Sequence, residues 1–283
     1  MSYTCLFFIL LYLSSVTIFN QSYKCVTKDM KKPGAKTVLI EFIAGIFSVL
    51  FIPFFKFTIS KSLSVYLFLG LSIVFYTIQD RLGTTARSGV DASTYSIIKQ
   101  LSNVFVIALG VLILHEKFIL YHFLGAFLII FSNVLILYEK DKINWNRYYF
   151  LGILANLCLG IALFLDINIS KQFNIAFYVF LITFIPSVLL LCVEKIKIID
   201  LKVEYQLTNK GALLFTTISW PIMMISKLLA YKDESIVIVA ALCSLSVMIN
   251  VIVGYFIFKE KGSVLKKIIA AFLIIIGIIL IKI

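Results

Sequence analysis

Residues 93–138 read STYSIIKQLSNVFVIALGVLILHEKFILYHFLGAFLIIFSNVLILY, two apolar segments broken once by the charged triplet His115-Glu116-Lys117. The same pattern returns at residues 237–283, VIVAALCSLSVMINVIVGYFIFKEKGSVLKKIIAAFLIIIGIILIKI. Leu101, Ser102, Gly110, Glu116 and Lys117 recur 144 positions later as Leu245, Ser246, Gly254, Glu260 and Lys261. After a one-residue insertion in the turn, AFLII at 126–130 recurs 145 positions on, at 271–275. Apolar pieces match one another cheaply, but a glycine, a serine and a Glu-Lys turn held in one frame do not. The chain reads as an internal duplication of about half its length.

Composition sets the solvent. Of 283 residues, 61% are hydrophobic and 14% charged, and the mean hydropathy is +1.06. A water-soluble core of this size needs a polar shell that so few charges cannot supply. The charges fall in short patches between apolar runs of about twenty residues, the length that crosses roughly 30 Å of hydrocarbon. The expectation is an all-α integral membrane protein, because the ten-residue alternating segments of a barrel are missing. The net charge of +12 sits on lysines flanking apolar runs, the usual anchoring signal, so no nucleic acid is expected as a partner. Five cysteines lie far apart with no CxxC pair, and neither a disulfide nor a metal site is assigned. The N-terminus MSYTCLFFIL lacks the basic region of a signal peptide and is read as the first span.

Ten spans fit: 4–23, 37–55, 63–79, 92–114, 118–138, 150–169, 175–192, 211–231, 235–258 and 264–281. The polar segment EKDKINWNRY at 139–148 separates two sets of five, giving units 1–143 and 144–283. A duplicated unit with an odd number of spans enters the membrane in opposite senses, which predicts ten transmembrane helices as two inverted five-helix repeats. Loops 24–36 and 195–210 are too short for a folded extramembrane domain. With no GxxxxGK[ST] there is no sign of ATP-driven transport, and no cofactor is expected. Odd-numbered loops hold eighteen Lys and Arg and the even loops with the C-terminus seven, which places the odd loops in the cytoplasm and both termini outside.

A long span, a short Glu-containing turn and a small-residue-rich final span close each half: LSNVFVIALGVLILHEKFILYHFLGAFLII and LSVMINVIVGYFIFKEKGSVLKKIIAAFLII. This arrangement resembles the EamA repeat of the drug/metabolite transporter superfamily. The resemblance implies secondary transport of a small metabolite by alternating access, in a multi-pass plasma-membrane protein such as those of the bacterial inner membrane. Members of that superfamily usually keep both termini in the cytoplasm, opposite to the charge count. Membrane lipids and a small-molecule metabolite are the expected partners, with the chain a monomer or homodimer. A lipid or lipid-linked-precursor flippase is the alternative in the same class. A membrane transferase is disfavoured because the sequence has no cluster of acids or histidines to bind metal or activate a nucleophile.

Lys99 is the sharpest site candidate. Ser96, Lys99 and Asn103 share one face of the fourth span, with Gln100 beside them. A polar stripe facing lipid is expensive, so it should face the bundle interior; the competing reading is a lysine that snorkels to the interface or is structurally paired. The position equivalent to Lys99 in the other half is Cys243, an asymmetry that would suit one polar end of a substrate, an anionic one included. Ser246, Asn250 and Gly254 form a face of span nine that suits close helix approach as well as binding. Tyr76 and Trp220 are 144 apart and either ring could line a pocket, though aromatic packing serves equally. Glu41, Asp166 and Lys227 lie four or five residues inside span ends, where an interfacial position costs little, and Asp166 is the candidate coupling carboxylate. Asp80, Arg81, Arg87 and Asp91 read as solvated loop charges. Glu116 and Glu260 read as turn-setting residues. His115 and His122 lack the HExxH spacing and carry no metal.

Overall fold

The computed structural model describes residues 2–89, 92–114, 119–137, 147–250, 253, 269, 272–277 and 279–280, with backbone alone at 92–94, 96–97, 114, 133–134 and 136–137. Among the described residues every regular element is helical: α1 Tyr3–Thr27, α2 Pro33–Val49, α3 Leu63–Gly89, α4 Ala92–Leu114, α5 Leu120–Leu137, α6 Arg147–Ile169, α7 Ile175–Val193, α8 Ile198–Leu207, α9 Lys210–Asp233 and α10 Ile236–Ser244. Six stretches are long and apolar enough to cross a membrane: Tyr3–Thr27, Pro33–Phe54, Leu63–Gly89, Arg147–Gln172, Ile175–Val193 and Lys210–Asp233. Ile98–Ile113, Leu120–Ser132 and Ile236–Asn250 are shorter apolar helices. Large apolar side chains point outward along these helices, Leu67 being 68% exposed and Phe272 64%, a surface only lipid tolerates over such an area. The protein is a multi-pass membrane protein. The Glu-Lys turns at 116–117 and 260–261, Gly254, Asp91 and most of 264–281 lie outside the described residues.

Helix starts follow local chemistry. Ser2, Asn174, Asn209 and Ser235 accept from the backbone N–H three residues on, at 3.1, 3.0, 3.0 and 3.4 Å, and Pro33 opens α2, where its missing N–H costs nothing. Asn174 does more: its amide donates to the Ile52 and Phe55 carbonyls at 3.1 and 2.8 Å, tying the start of α7 to the end of α2.

Two boundaries differ from the sequence reading. Of the stretch expected as a connection between the third and fourth spans, residues 79–89 are the last part of α3, so Asp80, Arg81 and Arg87 are helical rather than loop residues. Loop 195–210 contains α8, a short helix docked on the start of α2. Its Glu204 carboxylate accepts from the Lys31 and Lys32 backbone N–H groups at 2.8 and 2.7 Å and pairs with Lys36 at 3.0 Å, both side chains being 1% exposed. Lys36 also donates to Thr208. Outside this buried pair, the exposed Lys32 ammonium, 2.7 Å away, holds the half-buried Asp200 carboxyl below its ordinary range. At the same end Arg81 pairs with Glu194.

The helices pair across the two halves. α1 packs along α9 and α3 along α6; α2 packs on α7; α4 lies against α6 and α10, and α5 against α10. Two pairs of helix starts keep the 144-residue offset, α1 at Tyr3 with α6 at Arg147 and α4 at Ala92 with α10 at Ile236, while α2 and α7 start 142 residues apart and α3 and α9 147. The α4–α6 contact depends on Gly160, where an added Cβ would meet Phe105 side-chain carbons at 3.1 Å and the Ser102 carbonyl at 3.2 Å. Gly160→Leu should therefore cost about 1–3 kcal/mol by overpacking. Gly70→Leu, with open space around it, should not destabilise. Thermal midpoints of the two variants in detergent check the contrast.

Candidate functional site

The polar face of α4 turns inward as expected. Gln100 and Asn103 are buried, joined by a 3.3 Å hydrogen bond from the Asn103 amide, and Lys99 is half-buried beside them. Ser96 is helical, and its side chain lies outside the described residues. Lys99 has company that the sequence did not suggest. Lys227 of α9 is not interfacial but 6% exposed, because α9 is covered by α1, α2 and α6. Its Nζ lies 5.6 Å from the Tyr12 ring and 6.0 Å from the Tyr231 ring, within electrostatic range of Lys99, Cys243 and Asp166.

A third cation completes the group. The Arg87 guanidinium lies between the rings of Tyr23 and Tyr95, 4.8 and 4.1 Å from their centroids, and acts electrostatically on Lys99. Stacking on aromatic faces fixes a guanidinium while leaving its in-plane donors for a ligand. Among the described residues no ion pair joins Lys99, Lys227 or Arg87 to a carboxylate. Three cations without a direct ion-pair partner in a membrane interior are costly.

Asp166 is corrected from interfacial to fully buried. Its Oδ1 accepts from Ser72 Oγ and Tyr178 Oη, and its Oδ2 from Tyr76 Oη, each at 2.6 Å, so one carboxyl binds α6, α3 and α7 together. Tyr76 is thereby a positioning residue for Asp166. Its counterpart Trp220 packs edge-on against Phe19, with centroids 5.3 Å apart. Tyr76→Phe leaves Oδ2 without its hydroxyl donor and should cost about 1–3 kcal/mol; chemical denaturation of the variant beside wild type measures it. Ser246 is buried next to Tyr12, and Asn250 returns its amide to the Ser246 carbonyl at 2.7 Å while accepting from Gln21 at 3.4 Å. These two hold α1 against residues 246–250 at the edge of the cation group.

Glu41 of α2 and Asp80 of α3 are likewise buried rather than interfacial or in a loop, on helices joined one turn away by the 2.8 Å Thr37–Thr84 hydrogen bond. At the opposite end of the bundle from α8, Ile167, Asn168, Lys171, Tyr231, Lys232 and Ser235 line part of a pocket of about 310 Å³. Tyr231, in its lining, is also the ring 6.0 Å from the Lys227 ammonium. Charged residues inside apolar spans were the available signal for Lys227 and Glu41, whereas Asp80 fell in a stretch read as a loop; the depth of each was hidden until the helices were paired.

Against known families, residues 2–138 match the EamA-like transporter family. No curated protein matches the sequence. Solved structures share the fold; one of them, a crystal structure, aligns at a TM-score of 0.72 with 12% identity, covering 97% of this chain and 98% of that one.

Proposed function

We propose, from the premise that residues 2–138 belong to the EamA-like transporter family, that the whole chain is a secondary transporter moving a small anionic metabolite across the plasma membrane. The observation that carries the substrate class is the group of Lys99, Lys227 and Arg87, gathered from α4, α9 and α3 without direct carboxylate pairing. Carboxylates and phosphates are the anions that such ammonium and guanidinium donors recognise. Ser96, Gln100, Asn103, Ser246 and Asn250 would supply neutral hydrogen bonds around that charge, and Trp220 an apolar wall.

Alternating access follows from two inverted repeats, 1–143 and 144–283. The packing supports this reading. α1 on α9 and α6 on α3 are the same pair with the halves exchanged, and α2 on α7 pairs a helix with its own counterpart, as a two-fold relation requires. The pocket beside Tyr231 is the natural entry from one side. A flippase would need an apolar path for acyl chains, which three cations make expensive.

The test begins with metabolite profiles of cells with and without the protein, followed by flux of the anions that change in proteoliposomes. Anion flux that disappears in Lys99→Ala supports the reading. Flux of neutral solutes or lipid alone would reject it.

A further inference from the structure

Glu41 and Asp80 are not used by the substrate reading, and the fold has gone to some expense to bury them. Glu41 lies eight residues into α2 and Asp80 nine from the end of α3, both about 12–14 Å inside their helices at 1.5 Å per residue. Glu41 is 1% exposed and no donor reaches either of its carboxyl oxygens; Thr37, one turn before it on α2, bonds Thr84, one turn after Asp80 on α3, at 2.8 Å, which sets the two carboxyls opposite each other. Asp80 has Arg87 in electrostatic range, one helical face along α3, and Gln79 within reach. Tyr23 from α1 and Tyr76 from α3 are the other titratable groups that sense Asp80.

Two carboxylates facing each other in a dry interior do not both stay ionised. Arg87 decides which one keeps its charge. It stacks on Tyr23, whose hydroxyl meets Thr84 at 2.9 Å one turn from Asp80, and among the described residues no ion pair reaches Glu41. We propose that Glu41 and Asp80 hold one exchangeable proton between them, seated on Glu41, and that Arg87 links this proton site to the anion site. Glu41 then carries O–H while Asp80 is the carboxylate facing Arg87. An anion that recruits the guanidinium removes the counter-charge of Asp80, and the pair takes up a second proton to replace it. One negative charge and one proton thus enter the cycle together. The proton site stands on the carboxyl geometry alone, and its use in transport rests on the anion reading above.

The measurement needs no substrate. Infrared spectra of the full-length protein in detergent should show a protonated-carboxyl stretch at neutral pH. It should disappear in Glu41→Gln and survive in Asp166→Asn. In Arg87→Gln, where Asp80 loses its cation, it should grow about twofold. Labelling of unaltered protein with dicyclohexylcarbodiimide, an apolar reagent for shielded protonated carboxyls, should map by mass spectrometry to Glu41. This second arm holds even where a variant fails to fold. A stretch unchanged by Glu41→Gln, one lost in Asp166→Asn, or one abolished when sodium chloride replaces choline chloride would overturn the proposal, the last by assigning the pair to sodium. A stretch unmoved in well-folded Arg87→Gln would cut the link to the anion site. Failure of any of these leaves anion transport itself standing, because flux is measured separately.

Discussion

Lys99→Ala should abolish anion flux without lowering the thermal midpoint of the protein. The two halves of that expectation have one cause. Among the described residues, Lys99 has no carboxylate partner, so its desolvation is an uncompensated cost that alanine removes. A charge-assisted hydrogen bond to a bound anion is worth about 1.5–3 kcal/mol, so its loss weakens binding roughly tenfold to a hundredfold. Lys227→Ala should behave in the same way, being 6% exposed and equally unpaired. Lys56→Ala, on the exposed connection after α2, should leave both flux and midpoint alone. Flux in proteoliposomes beside a melting curve in detergent reads both quantities. A residue that merely filled space would show the reverse pattern, a lower midpoint with transport preserved.

Lys36→Met should destabilise the protein by about 3–5 kcal/mol, because it leaves the Glu204 charge buried at 1% exposure with no cation. Glu204 is the acceptor for two backbone N–H groups at the start of α2, and Lys36 also reaches the Glu204 carbonyl at 3.1 Å, so the pair is the anchor of α8. The double variant Lys36→Met with Glu204→Gln should recover most of the loss, since the amide oxygen still accepts from Lys31 and Lys32 while the orphaned charge is gone. Denaturation of the single and double variants gives the coupling directly. Arg81→Ala at the same end should cost less than Lys36→Met, because Arg81 and Glu194 are 29% and 32% exposed and water screens them.

The membrane class was plain from the length of the apolar runs, and the inward polar face of α4 from its helical spacing. The parts that were hidden share a physical reason. QDRLGTTARSG reads as a loop by polarity, yet a helix inside a bundle turns such residues toward its neighbours, and Asp80 and Arg87 do this in α3. Polarity in a membrane chain reports which way a side chain faces as readily as where a span ends. Glu41, Asp166 and Lys227 were placed near the interface by counting from expected span ends, a count that ignores lateral cover from α1, α3 and α9. The three hydroxyls on Asp166 come from α3 and α7, and no spacing along the chain announces that meeting. The short helix α8 escaped for a different reason: ten residues with little apolar periodicity are held by the buried Glu204, a tertiary contact.

Cys243 offers the most direct test of a cluster that opens to each side in turn. It lies in α10, 1% exposed, within electrostatic range of Lys99 and Lys227. With Cys5, Cys25, Cys158 and Cys192 replaced by serine or alanine, a membrane-impermeant thiol reagent is applied to sealed vesicles of each orientation. Alternating access predicts that Cys243 is modified from both sides, each slowed by an anion that is transported. Modification from one side only, at any anion concentration, would contradict it.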